Sequence, residues 1–216
     1  MKPIVKKRSK LAWLPIIIML LTVGFLYWQK QYPYYLIDYI RISQFEPTSD
    51  VRNLIYELNL TPKAERIFLA SQPEVNEPQE FNQNCQRQEP NVSILGCYTM
   101  GRIFIFDVTN EELEGVTQVT AAHELLHAIY ERLSDKERES VDSLLQEAYS
   151  QIDNTELKNR MDYYARTEPG EANNELHAII ATEVLDISGE LEQYYSKYFN
   201  NRKQIVDLYR GYNSKF

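Results

Sequence analysis

The stretch TAAHELLHAIY, residues 120–130, contains two of the three histidines of this 216-residue chain. Each residue of an α-helix turns by about 100°, so residues four apart lie about 40° apart on one face. His123 and His127 are therefore predicted to stand side by side on one helix. In that position their ring nitrogens can bind a single metal ion, with Glu124 directly beside the first histidine.

This HExxH arrangement predicts a Zn²⁺ site, in which the ion lowers the pKa of a water molecule and the neighbouring carboxylate takes its proton. The alternative is an ordinary buried helix with two incidental histidines. The flanking residues are apolar or small, and burying polar side chains without partners on such a face is costly. The pattern therefore favours His123 and His127 as metal ligands and Glu124 as the catalytic general base.

Residues 120–129 resemble the longer consensus of the zincin metallopeptidases: Thr120 fills their usual Val or Thr position, uncharged residues surround the motif, and a hydrophobic residue closes it. The resemblance implies a peptidase with a peptide or protein substrate. In that family an edge strand before the motif helix holds the substrate in extended form. The segment RIFIF, Arg102–Phe106, is similar in placement.

The resemblance also implies where the third metal ligand could lie. Metzincins have Gly and His after the motif, where this chain has Tyr130 and Leu133, so that subfamily is excluded. Gluzincins take a glutamate from a later helix. The segment NNELHAIIATE, residues 173–183, is similar in position, and its Asn174–Glu175 pair is similar to the Asn–Glu pair of thermolysin-like enzymes.

Glu175 is therefore the preferred third ligand, and two alternatives stay open. Glu183 lies two turns further on, about 80° round the same helix. His177, the remaining histidine, lies about 200° from Glu175, so these two cannot both face one metal ion from a regular helix.

Tyr163, Tyr164 and Arg166 precede this helix and are candidate donors to a developing oxyanion.

Local patterns predict the surrounding elements. Residues 92–108 are rich in apolar and aromatic side chains interrupted by glycines, which predicts a hairpin or two short strands, the second over Arg102–Val108. From Glu111 onward the spacing of apolar residues predicts helices, one of them opened by a capping box of Ser134 and Glu137. Earlier in the chain, residues 66–70 (RIFLA) are strand-like, and residues 72–91 are polar and proline-containing and predict a loop.

The two cysteines, Cys85 and Cys97, are spaced so that a disulfide could close a small loop in an oxidising compartment. Two separate thiols are the alternative, since the sequence does not give the distance between their Cα atoms.

The N-terminus has a basic segment followed by an apolar one. Residues 1–10 carry five basic residues and no acid, and residues 11–28 carry no charge. We interpret them as a cytoplasmic basic tail and a transmembrane anchor, followed by a juxtamembrane stalk over residues 29–47 and the peptidase domain over residues 48–216. A cleaved signal peptide is the competing interpretation.

The sequence thus predicts an α+β protein of the cell membrane: a single-pass helix with its N-terminus in the cytoplasm, then an extracytoplasmic zincin-like domain with a short β-sheet followed mostly by helices. Its net charge of −8 and its lack of clustered basic residues beyond residues 1–10 argue against a nucleic-acid partner. The predicted function is hydrolysis of peptide bonds by a Zn²⁺-activated water. A catalytically inactive binding or assembly module is the alternative.

Overall fold

The computed structural model describes residues 13–31, 34–85 and 94–215, and these residues are predominantly helical. The chain divides into two compact units, Met1–Ile37 and Asp38–Phe216, and the histidine motif belongs to the second. The helices are α1 (Leu14–Gln31), α2 (Tyr35–Ser43), α3 (Ser49–Glu57), α4 (Pro62–Ala70), α5 (Pro78–Asn84), α6 (Val116–Glu131), α7 (Asp135–Gln151), α8 (Thr155–Thr167), α9 (Ala172–Glu183), α10 (Gly189–Tyr195) and α11 (Arg202–Asn213). The strands are β1 (Glu74–Asn76), β2 (Gly96–Thr99) and β3 (Arg102–Phe106).

The predicted α+β class was wrong. Within the described residues the strands form a single three-stranded sheet. Helices come both before this sheet in the sequence (α2, α3 and α4) and after it (α6 to α11). The segment RIFLA is the clearest cause, because it lies in α4 and not in a strand. Thr61 caps this helix by accepting a hydrogen bond from the backbone N–H of Ala64, and Pro62 occupies the first turn, where its missing N–H costs nothing.

The sheet has the order β1-β3-β2, so the RIFIF segment forms the central strand and not the edge strand that the family resemblance implied. β1 pairs with β3 in parallel, and β2 pairs with β3 antiparallel through a tight turn at Met100 and Gly101. Gly101 has φ +72°, a value that suits glycine. The edge strand next to the histidine motif is therefore β2. The stretch predicted as a loop contains β1 and α5.

Helix α6 is the central element of the second unit. It packs against α4, α9, α11, β2 and β3, and most of its side chains are buried. Small residues make the close packing of α6 on α9 possible: Ala121 and Ala122 on α6, and Ala178 and Ala181 on α9, are completely buried. The helix with the histidines and the helix with the expected third ligand are thus in direct contact.

A buried arginine stabilises the end of α9. The side chain of Arg202, at the start of α11, is 2 % exposed. It donates hydrogen bonds to the carbonyl oxygens of Ala181 (3.1 Å), Val184 (2.7 Å) and Leu185 (2.8 Å), and its guanidinium lies 2.8 Å from the carboxylate of Glu192. These carbonyls at the C-terminal end of a helix have no intrahelical donor, and Arg202 supplies one.

The disulfide lies next to the sheet. Cys85, which follows α5, is bonded to Cys97 on β2, with 5.9 Å between their Cα atoms. Cys85 is buried together with Phe81 and Phe104 in a small apolar cluster that is separate from the main core. The bond ties the edge strand to α5.

The predicted transmembrane anchor over residues 11–28 is corrected by the structure. Among the described residues, no helix combines the length and the apolar character that crossing a membrane requires. Helix α1 has 18 residues, but it ends in Gln29, Lys30 and Gln31, so it contains only part of the apolar run, whereas a span needs about 20 mostly apolar residues. The assignment as a single-pass protein of the cell membrane is therefore wrong. The basic tail, residues 1–10, lies outside the described residues.

Candidate metal centre

Three side chains from α6 and α9 converge on one point. The Nε2 atoms of His123 and His127 lie 3.6 Å and 3.5 Å from the two carboxylate oxygens of Glu175. The two imidazole rings have centroids 4.8 Å apart. One potential ligand atom from each residue lies within 4.8 Å of the others, so this group can hold a metal ion.

The environment of Glu175 fits a cation. The residue is 8 % exposed, and its Oε2 atom is buried without a hydrogen-bond partner among the described residues. Burial by itself would raise the pKa of this carboxyl, but the neighbouring imidazoles of His123 and His127 and the charge of Arg160 hold the pKa below its ordinary value. An ionised carboxylate with an unsatisfied oxygen, facing two imidazole nitrogens, is a donor set that could hold a metal ion.

Asn174 orients one of the imidazoles. Its Oδ1 atom lies 3.0 Å from Nδ1 of His127, and its Nδ2 donates to Glu171. Because Oδ1 can only accept, the proton of His127 belongs on Nδ1, which leaves Nε2 with a lone pair for a metal ion. The residue before Glu175 therefore sets the tautomer of a ligand on the other helix.

Glu124 lies between α6 and the edge strand β2 and is 6 % exposed. Burial raises the pKa of this carboxyl to about 7; the nearby imidazole of His127 and the backbone amide of Tyr98 lower it, and the charge of Glu175 raises it. Gly96 makes this position possible, because a Cβ atom there would lie 2.6 Å from Oε1 of Glu124 and 2.5 Å from Cγ2 of Thr120. A carboxyl with a pKa near neutrality is suited to accept and return a proton.

These residues form the floor of a cleft of about 370 Å³. One wall comes from β2 and the residues before it: Ile94, Gly96, Cys97 and Tyr98. The other wall comes from the end of α8 and the start of α9: Tyr163, Tyr164, Glu168, Glu171 and Asn174. The volume lies at the lower end of the range for ligand sites, and the cleft is open between the two walls.

The two alternative third ligands lie elsewhere. Glu183 is paired with Arg160, and the pair lies near the tyrosines of α11. His177 is completely buried, and its Nε2 lies 3.0 Å from the hydroxyl of Tyr194. Burial lowers the pKa of His177 to about 3, so the ring is neutral. Of the candidates, the structure places only Glu175 beside both histidines.

Two of the three candidate oxyanion donors reach the cleft. Tyr163 and Tyr164 line it, whereas Arg166 is exposed and does not. Sequence reasoning did not identify the close approach of Gly96, the tautomer-setting contact of Asn174, or the acidic residues of the α8–α9 wall. The contact of Asn174 with His127 could have been predicted, because Asn174 directly precedes the expected ligand Glu175 in the sequence. The role of Gly96 depends on tertiary packing that no local pattern records.

A larger cavity of about 570 Å³ lies away from the histidines, between α3 and the start of α6. Its lining includes the acidic residues Asp50, Glu57, Asp107 and Glu114. In the part of the chain that the structure describes, the only group of histidine, cysteine and acidic residues able to share a metal ion is the one on α6 and α9. The candidate metal-binding residues therefore line the smaller cleft and not the larger cavity.

Comparisons of the chain with protein-family models, with curated proteins and with solved structures found no match.

Proposed function

We propose that this protein is a zinc-dependent peptidase of the zincin type, which hydrolyses peptide bonds with Glu124 as its general base. The observation that carries the proposal is the convergence of His123, His127 and Glu175 on one point, with Glu124 in the same cleft. Two imidazoles and one carboxylate are a ligand set of catalytic zinc, which keeps a coordination position open for water or substrate. A zinc ion held there lowers the pKa of water and polarises the scissile carbonyl.

The roles of the chain's own residues follow from their positions. His127 presents Nε2 to the ion because Asn174 holds its Nδ1 proton. Glu124 would accept the proton of the attacking water and return it to the leaving amine, because its carboxylate lies in the same cleft as the three ligand residues. Tyr163 or Tyr164, on the opposite wall, is a candidate donor to the oxyanion.

The edge strand supports a peptide as the substrate. Among the residues that the structure describes, β2 pairs with β3 on one side only, and it forms a wall of the cleft. The other edge of such a strand can accept an extended chain as an additional strand through main-chain hydrogen bonds. A substrate in that position would run alongside Glu124 and the metal-binding residues.

The proposal is tested by metal content and hydrolysis together. The purified full-length chain is expected to contain about one zinc per chain. It should cleave a mixture of unstructured peptides, lose this activity with a chelator, and regain it with added zinc. Zinc without hydrolysis would favour the alternative of a binding or assembly module. Iron in place of zinc would also contradict the proposal, because iron oxygenases use the same two-histidine, one-carboxylate set.

A matched pair of variants tests the third ligand. We expect Glu175→Ala to retain far less than one zinc per chain after dialysis, because a direct ligand is lost. We expect Glu183→Ala to keep its zinc, because Glu183 is paired with Arg160. Atomic absorption of both variants, with circular dichroism as a check of folding, gives the comparison. The reverse result would make Glu183 the ligand.

Gly96→Ala is expected to slow hydrolysis by about 100-fold without loss of zinc. The added methyl group would overlap Oε1 of Glu124 and Cγ2 of Thr120, and displacing a catalytic group by about 1 Å costs roughly this factor. Gly189→Ala is the matched control, since a Cβ there meets no atom within 4 Å. Peptide hydrolysis and zinc content are measured for both. A Gly96→Ala protein with the wild-type rate would show that the position of Glu124 against β2 is not required.

A further inference from the structure

A buried ion pair connects α2 to the end of the helix that carries the histidine motif. Asp38 lies on α2, and Arg132 directly follows α6. The guanidinium donates to both carboxylate oxygens, with 2.9 Å between Nη2 and Oδ1 and 3.3 Å between Nε and Oδ2. The side chains of Arg132 and Asp38 are only 8 % and 6 % exposed. Because both groups are planar, this two-point contact fixes the orientation of the guanidinium as well as its position.

The same guanidinium also contacts the edge strand β2. Its Nη1 donates a hydrogen bond to the hydroxyl oxygen of Tyr98 at 3.2 Å and another to the carbonyl oxygen of Ala128 at 2.8 Å. The hydroxyl of Tyr98 in turn donates to the carboxylate of Glu131. Two charged side chains therefore hold the tip of this tyrosine at the end of α6. A buried ion pair by itself is weak evidence of stabilisation, so its contact with β2 is the more informative feature.

One face of β2 lies along α6. Side chains two residues apart point to the same side of a strand, so Gly96 and Tyr98 face α6 together. A Cβ atom at Gly96 would lie 2.5 Å from Thr120 and 2.6 Å from Glu124, whereas the hydroxyl of Tyr98 lies beside Arg132. The strand thus follows α6 from the proposed base to the end of the helix. Fixing the hydroxyl of Tyr98 therefore restrains the separation between β2 and Glu124.

The backbone of β2 contacts the carboxylate of Glu124 directly. The N–H of Tyr98 donates a hydrogen bond to this carboxylate. In an antiparallel pair the hydrogen-bonded residues alternate, and the N–H of Phe106 donates to the carbonyl oxygen of Leu95. Tyr98 is three residues beyond Leu95, so its N–H points away from β3. A shift of β2 against α6 would therefore move the donor that orients the carboxylate of Glu124.

A second contact from α2 holds the same pair of strands. Arg41 donates to the carbonyl oxygen of Gly101, in the turn between β2 and β3, at 2.6 Å. Asp38 and Arg41 are three positions apart and so lie on the same face of α2. This helix is thus attached to the two strands at their turn and, through Arg132, at the side chain of Tyr98.

We propose that Asp38 and Arg132 are positioning residues, which hold β2 through Tyr98 at the separation from α6 that aligns Glu124 with the metal-binding group. This inference rests on the proposed peptidase function. Neither positioning residue belongs to the described lining of the cleft, so both act through the strand. Their contact lies eight residues beyond Glu124, about 12 Å along the axis of α6.

Kinetics in two backgrounds test this role on the full-length, zinc-loaded chain. Asp38→Asn keeps the shape of the side chain but removes its charge, and it is expected to lower kcat per bound zinc about tenfold with little change in KM, as misplacement of the base by less than about 1 Å implies. In a Glu124→Gln background the same substitution should change the residual rate by no more than about twofold, because the carboxylate that it positions is absent.

Two further variants complete the kinetic comparison. Tyr98→Phe removes only the hydroxyl and should reproduce both results of Asp38→Asn, because it breaks the same connection at its other end. Asp153→Asn is the matched control, since Asp153 forms an exposed ion pair with Lys158. It should keep the wild-type rate in both backgrounds.

Hydrogen exchange provides a measurement that does not depend on activity. Amide exchange over residues 96–99, followed by mass spectrometry, is expected to be about tenfold faster in Asp38→Asn than in the wild-type chain, because loss of the connection makes local opening of β2 easier. Exchange over the same residues should be unchanged in Asp153→Asn.

The outcomes separate the positioning role from the function on which it rests. Wild-type rates in Asp38→Asn and Tyr98→Phe, or an equal loss of rate in both backgrounds, overturn the positioning role and leave the peptidase proposal in place. Unchanged exchange of β2 in Asp38→Asn overturns the connection itself. Absence of hydrolysis by the wild-type protein overturns the peptidase proposal, and faster exchange in Asp38→Asn would then support a connection from α2 to β2 that serves another purpose.

Discussion

Replacing Glu124 with glutamine is expected to lower the rate of peptide hydrolysis by about 10²–10⁴-fold while the zinc content stays at its wild-type value. Glutamine keeps the shape of the side chain but cannot accept the proton of the attacking water. Glu124 is not one of the three grouped ligand residues, so the metal site should survive the change. The measurement is the steady-state rate on an unstructured peptide together with metal analysis of the same sample.

The controls for this variant separate catalysis from metal binding. His123→Ala removes a ligand and should lose both zinc and activity. Glu139→Gln, on the exposed surface of α7, should change neither. A Glu124→Gln protein that retains full activity would show that the carboxylate of Glu124 is not the general base. That result would not contradict metal binding by His123, His127 and Glu175.

Arg202→Met is expected to lower the free energy of unfolding of the full-length chain by roughly 3 kcal/mol. The substitution removes the donor for the carbonyl oxygens of Ala181, Val184 and Leu185, and each buried group without a partner costs about 1–3 kcal/mol. It also leaves Glu192 without its guanidinium partner. Because α9 carries Glu175, loss of this contact should loosen the metal site too.

Urea denaturation measures this effect from the shift in midpoint at constant slope. Lys203→Met is the matched control, since Lys203 is the next residue of the same helix and is exposed; its effect should stay within about 0.5 kcal/mol. A change in Arg202→Met no larger than in the control would mean that water or backbone rearrangement satisfies the carbonyls at the end of α9.

Local features of the fold were predictable from the sequence. The capping box of Ser134 and Glu137 opens α7 as predicted, and both of its hydrogen bonds are formed. The helical register of residues 120–130 brings His123 and His127 side by side because the i, i+4 relation depends only on helix geometry. In both cases the prediction depends only on residues within one or two helical turns of each other.

Features that depend on packing between distant segments were not predictable in the same way. The choice among Glu175, Glu183 and His177 is decided by which face of α9 meets α6, and the three residues lie within nine positions of one another. The order of the sheet is another case, because alternation of apolar residues predicts strands but not their neighbours. RIFLA has the composition of a strand, yet the cap at Thr61 and burial on one helical face favour α4.

The predicted anchor was wrong for a related reason. An uncharged run of eighteen residues suggested a span, whereas the helix that forms is displaced along the chain and includes the polar residues Gln29, Lys30 and Gln31. Composition over a window identifies an apolar segment, but the boundaries of a helix decide how much of that segment it contains.

The disulfide between Cys85 and Cys97 has a thermodynamic consequence for substrate capture. A crosslink between residues 12 positions apart reduces the conformational entropy of the unfolded chain, a contribution of roughly 3 kcal/mol in chain-entropy models. Here it also restrains the strand to which an incoming peptide would be added. If β2 accepts a peptide as we propose, the entropy of ordering that strand is lost when the protein folds and not when the peptide arrives. The proposed docking edge would then be preorganised, and more of the interaction energy would appear as affinity.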